Sequence, residues 1–162
     1  MRVRRIVVGL DSRLRTDTAL EALAALADEM EAELIGLFVE DVDLLHLAAL
    51  PFACEVGFPS ATRRDLDVAR MERSFEAQAN GLRRACEAVL KTSSVSWSFR
   101  VARGSRAEQL LRAATEGGVP TLLVPPGTDP RADPAVVSQS ELTEKSLREF
   151  LDSAQRPILI LP

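Results

Sequence analysis

The chain has 162 residues, of which 46% are apolar and 27% charged, with a formal net charge of −4. That length suits one domain spanning 1–162, and the apolar share supports a packed core and excludes wholesale disorder. The negative balance offers no footprint for nucleic acid or for an acidic membrane, so neither is expected as a partner.

Two cysteines, Cys54 and Cys86, are too few for a disulfide framework or a metal cluster. The N-terminus, MRVRRIVVGLDS, has a basic start but neither the apolar length nor the small-residue cleavage site of a signal peptide. No stretch reaches the roughly 18 apolar residues of a membrane span, so a cytoplasmic location is expected.

In chain order, Ile6 to Leu10 is a short β-branched run without alternation, which suits a strand covered on both faces. From Thr16 to about Ala32, Leu20, Leu23, Ala27 and Met30 fall at helical spacing. Thr18 and Glu21 form a candidate capping box there, with Thr16 an alternative cap. A second strand follows at Leu34 to Val39, and strand-helix-strand with short connections predicts parallel pairing.

Residues 41–62 are an irregular insertion: a short amphipathic segment, then a loop marked by Pro51, Gly57 and Pro59. A long helix is predicted from about Arg63 to Lys91, on the seven-residue repeat of Val68, Phe75, Leu82 and Val89. It runs on through the turn signal Asn80-Gly81. Cys86 lies on its apolar stripe, where a thiol behaves as a small hydrophobe.

Ser93 to Ala102 alternates, with Val95, Trp97, Phe99 and Val101 against Ser96, Ser98 and Arg100, the pattern of an edge strand. Ser105 and Glu108 form a capping box for the next helix, which Gly117-Gly118 closes. Thr121 to Val124 is a fourth strand. The loop PPGTDPRADP leads to a helix from about Ser138 to Ala154 and a last strand, Pro157 to Leu161. Five strands with helices between them predict an α/β, doubly wound parallel sheet.

These pieces resemble the universal stress protein family. RIVVGLD is similar to that family's opening strand, ALEALAALADEMEAELIGLFVED to its first helix and second strand, FRVARGSRAEQLLRAA to its third strand and helix, and RPILILP to its closing strand. The resemblance covers nearly the whole chain in order. It implies an adenine-nucleotide-alpha-hydrolase-like sheet in the order 3-2-1-4-5, with the third and fifth strands at the edges.

ATP-binding members carry Gly-x2-Gly-x9-Gly-Ser/Thr after the fourth strand, where backbone N–H groups cradle the phosphates. Glycine is needed because a Cβ blocks the backbone's approach to phosphate oxygens. Here Gly127 is the last glycine, and the alignment puts Pro125 and Thr128 where the first two glycines belong. A proline there removes a donor. Asp129 and Asp133 lie in the same loop with Arg131 alone to oppose them, so no ATP or AMP cofactor is expected in the family's usual manner.

The first loop reads Asp11-Ser12-Arg13 where the family often has Asp-Gly-Ser. By resemblance, Asp11, Ser12, Val39, Val124 and Gly127 are the residues of a vestigial adenosine-type cleft. Asp11 has the alternative of accepting backbone amides in its own turn.

Other candidates carry less. His46 has neither a nucleophile nor an orienting acid near it in sequence. Cys54 has no flanking base to lower its pKa, and Ser12 sits in no Gly-x-Ser-x-Gly elbow. A response-regulator receiver would need an Asp after the third strand and a Lys after a later one; Arg103 follows the third strand and no lysine stands near the fifth. The apolar run LAALPFACEVGF, residues 47–58, is either a lid over the cleft or a surface for a protein partner.

No catalytic group, metal site or enzyme activity is therefore expected. The last strand, as an unprotected apolar edge, predicts a homodimer through residues 157–161, which the family resemblance also implies. Two functions remain: a non-enzymatic stress-response or regulatory protein acting through protein partners, and an adenine-nucleotide sensor with an altered phosphate loop and at most slow hydrolysis.

Overall fold

A computed structural model of the chain describes residues 2–11, 17–50, 54–56, 63–65, 67–153 and 155–162. The apolar run at the start forms β1 (Arg5–Leu10), followed by α1 (Asp17–Met30) and β2 (Glu33–Asp41). Next come α2 (Val42–Ala48) and two short strands, β3 (Cys54–Val56) and β4 (Arg63–Asp65), paired antiparallel. The long helix α3 (Val68–Leu90) leads to β5 (Trp97–Gly104), α4 (Arg106–Thr115) and β6 (Thr121–Val124). The chain closes with β7 (Ala135–Ser138), α5 (Glu144–Ser153) and β8 (Ile158–Leu161).

The main sheet has six strands in the order β5-β2-β1-β6-β8-β7. The α/β class and the order predicted for five strands are both present; β7 is an addition at one end. β1 pairs parallel with β2 on one side and β6 on the other, and β2 pairs parallel with β5. The alternating strand β5 is an edge, as its pattern required.

The other edge differs from the expectation. β8 runs antiparallel to β6, and β7 pairs parallel with β8 along its outer side. Residues 157–161 are therefore not a free edge, and a homodimer through that strand loses its premise. The physical reason lies in Val136-Val137, a β-branched pair between Pro134 and a 3-10 turn at Gln139–Glu141. Its ladder with β8 uses the backbone groups that an edge would leave unpaired, beginning with Ala135 N–H donating to Pro157 O at 2.9 Å.

Two helix starts also move, and one of the two caps expected for α1 is not its cap. α1 begins at Asp17, so Thr18 lies inside its first turn and is no cap; Thr16 lies outside the described residues. α3 begins five residues later than predicted, where the Asp67 carboxylate accepts from Arg70 N–H at 2.7 Å. α5 begins at Glu144, not near Ser138, with Thr143 Oγ1 accepting from Ser146 N–H at 3.1 Å. Ser105 caps α4 as predicted, accepting from Glu108 N–H at 3.4 Å, and Gly117 and Gly118 close it with φ of 73° and 60°.

The sheet separates two cores. On one face α1 and α3 bury Leu20, Leu23, Phe75 and Leu82 against Ile6, Val8, Leu34 and Phe38. On the other, α4 and α5 bury Leu110 and Leu147 against Val7, Ile35, Leu123 and Ile158. Successive residues of β1 thus feed opposite cores, which is why its sequence shows no alternation. Cys86 is 3% exposed, and burial pushes its thiol up to about 11, with the Glu87 carboxylate adding to the shift. Among the described residues no helix is long and apolar enough to cross a membrane.

Candidate functional site

β1 is the point where the sheet's order reverses, with β2 to one side and β6 to the other. In open α/β sheets the carboxyl ends of the strands at such a reversal leave a crevice. Here that crevice is a cleft of about 370 Å³. Its floor is Gly9, Leu10 and Asp11 from the end of β1 and Leu37, Phe38 and Val39 from β2. One wall is Met71, Phe75 and Gln78 on successive turns of α3; the other is Arg106 and Leu110 on α4. Leu44, Asp41 and Pro126 complete the rim.

The lining is apolar at depth and polar at the mouth. Phe38 and Phe75 meet edge to face, with ring centroids 6.3 Å apart and planes at 71°. Asp41 caps α2, its carboxylate accepting from Asp43 N–H at 2.9 Å. Arg103, at the end of β5, donates from Nε to Glu40 at 3.0 Å and from Nη1 to Glu72 at 3.3 Å. That pair of contacts ties β5, β2 and α3 together beside the cleft.

The loop after β6 decides what the cleft can hold. Pro125, Pro126, Pro130 and Pro134 carry no N–H. Thr128 N–H donates to Pro125 O at 3.2 Å, and Gly127 between them has φ of 74°, so Pro125 to Thr128 is a type II turn with glycine at the position that needs it. Arg131 N–H donates to the Asp129 carboxylate at 2.9 Å and Ala132 N–H to Asp129 O at 3.1 Å. The amides of Thr128, Arg131 and Ala132 thus serve acceptors within the loop, whereas a phosphate cradle must present its amides outward. Pro126 also lies over Gly9, where a Cβ would stand 2.8 Å from its Cδ.

Of the residues singled out from sequence, Asp11 and Val39 line the cleft. Val124 is 1% exposed and packs in the α1–α3 core. Gly127 lines a second hollow of about 280 Å³ with Pro125, Thr128, Leu151 and Asp152; Arg106 and Pro126 border both spaces. Ser12 lies outside the described residues. Sequence reasoning did not single out Met71, Phe75, Gln78, Arg106 or Pro126, which other elements bring to the cleft. The available signal was Arg106's place directly after the capping Ser105.

His46 is exposed on α2. Among the described residues no group of three or more His, Cys, Asp and Glu side chains is arranged to hold a metal. Of the 47–58 run, Leu47 and Leu50 are exposed at 47% and 41%, and residues 51–53, 57 and 58 lie outside the described residues.

No family sequence model matches the chain, and no curated protein matches it in sequence. Its fold matches solved structures over almost its full length. One is the hypothetical protein MJ0577, whose biochemical function was assigned from its structure, at 14% identity and a TM-score of 0.55, covering 99% of this chain and 96% of that one. Another is the universal stress protein UspA from Lactobacillus plantarum, at 15% identity and a TM-score of 0.52, covering 100% and 99%. The chain has the universal-stress-protein fold.

Proposed function

We propose that this chain is a non-enzymatic regulatory protein of the universal-stress-protein type, working in the cytoplasm, whose cleft takes a small molecule without the phosphate hold that ATP requires. The observation that carries this reading is the loop from Pro125 to Ala132, where prolines replace two donors at 125 and 126 and the amides of Thr128, Arg131 and Ala132 serve its own turns. A triphosphate set against that loop would meet the carboxylates of Asp129 and Asp133, and like charges repel.

A second reading is favoured by the cleft itself. An opening of about 370 Å³ at the ends of β1 and β2, with Asp11 and Val39 on its floor, has room for a nucleoside. An adenine-nucleotide sensor would use that space and leave the phosphates outside. Melting temperature with millimolar Mg-ATP, AMP and adenosine separates the two. A ligand present at a hundredfold its Kd adds about 2.7 kcal/mol of stability. The first reading expects no shift with Mg-ATP; a clear shift that grows with the number of phosphates would overturn it.

Self-association belongs to this proposal, at the outer edge of β7. Val136 is 62% exposed there, and residues 135–138 carry no charge to deter a second strand. Antiparallel pairing of two such edges about a two-fold axis closes a dimer.

A further inference from the structure

We propose that Arg106 anchors the carboxylate of a small apolar acid bound in the cleft, an inference that rests on reading the cleft as a ligand site without a phosphate loop. Arg106 opens α4 and borders both the main cleft and the second hollow beside it. Among the described residues it makes no ion pair, whereas Arg5, Arg100, Arg103, Arg112 and Arg148 each hold a glutamate. A guanidinium left open at the mouth of an apolar cleft is suited to a planar oxyanion, which it grips through two parallel N–H donors. The N-terminal end of α4 adds the favourable end of a helix dipole at the same point.

Charge at the mouth selects against larger anions. Among the described residues, Asp11 and Asp41 line the cleft and Asp152 the second hollow, and Arg106 is the one cationic side chain that borders both spaces. A monocarboxylate presents a single charge to Arg106, whereas a di- or triphosphate brings more negative charge than one guanidinium offsets. Beside Arg106 the floor carries Phe38 and Val39 and the walls Met71, Phe75 and Leu110, which favour an aliphatic or aromatic body. A volume of about 370 Å³ lies near the small end of ligand pockets, which run from about 300 to 1,000 Å³. The ligand class is therefore a compact monocarboxylate.

The test uses 3-phenylpropionate and octanoate with their uncharged amides, titrated calorimetrically into the whole chain, the Arg106→Gln variant and the Arg106→Lys variant. Arg106 is exposed, so both variants should keep the wild-type melting temperature. At least one acid should bind in the millimolar range or tighter, with its amide weaker by about tenfold or more. Arg106→Gln should bring the acid down to the amide's affinity and leave the amide unchanged, and Arg106→Lys should fall between. Equal binding of acid and amide, an acid affinity untouched by Arg106→Gln, or no binding of either acid would each overturn the proposal. A parallel Mg-ATP titration separates the two readings. Tight Mg-ATP binding that ignores Arg106→Gln defeats the reading of the loop, whereas silence from every ligand defeats the acid proposal alone.

Discussion

Replacing Gly9 by alanine tests the packing that shapes the cleft. A Cβ at Gly9 would stand 2.8 Å from Pro126 Cδ and 3.1 Å from Cγ, where ordinary contact begins at 3.4 Å, leaving the nearest pair 0.6 Å too close (3.4 − 2.8). A flexible side chain would swing aside at little cost. The Pro126 ring cannot, because it is part of the backbone of a turn that the Thr128–Pro125 hydrogen bond closes. Forcing extra volume into such a contact costs about 1–3 kcal/mol. Against this, alanine restricts the unfolded chain and returns about 0.4–1 kcal/mol. The clash wins, and a net loss of about 1–2 kcal/mol is expected, or about 2–4 °C in Tm for each kcal/mol in a chain of this size. Urea unfolding of Gly9→Ala, Pro126→Ala and the double variant gives the cycle. Pro126→Ala removes the offending ring carbons, so Gly9→Ala made on that background should be neutral or stabilising, with a coupling of about 1 kcal/mol or more. Strict additivity would refute the contact between β1 and the proline loop.

Two further outcomes follow from buried and exposed side chains. The folded chain holds the Cys86 proton more tightly than the unfolded one, so the stability it contributes is complete below pH 9 and lost as pH rises towards about 11. Over that window the wild type should lose about 1.4 kcal/mol per pH unit more than Cys86→Ala in urea unfolding; parallel slopes would sink the assignment. Light scattering at tens of micromolar should find a dimer for the wild type and a monomer for Val136→Asp, which sets a charge on the β7 edge. A monomeric wild type would remove the proposed interface.

Much of the fold is readable from residue types because the punctuation is local. Thr121 to Val124 stands between Pro120 and Pro125, and Ser105 and Glu108 mark α4, so both elements are where the sequence puts them. β7 was illegible because four half-exposed residues, AVVS, carry too short a pattern to separate strand from loop. The direction of β8 was illegible for another reason: Ile-Leu-Ile-Leu reads alike either way, and the choice is made by what packs on it. The start of α3 slipped because Arg63 to Asp65 carry no apolar phase, whereas the capping Asp67 does mark it.

The cleft divides in the same way. Asp11 and Val39 sit where strands end, and strand ends are visible in a sequence. Arg106 and Pro126 arrive from elements about a hundred residues downstream of β1, and only the sheet's topology brings them there. Val124 shows the limit of position alone: it lies one residue before the loop, yet faces the core.

The reversed direction of β8 determines which end of the sheet residue 162 lies at. Ile160 lies beside Thr121, which itself lies beside Arg5 at the start of β1. The carboxyl end of β8 is thus carried to the end of the sheet opposite the cleft, next to the first described residues. Had β8 followed β6, Pro162 would emerge at the mouth, beside Arg106. As built, a fluorophore or affinity handle joined through residue 162 stands clear of the opening, and a tether to a surface there would present the cleft outward.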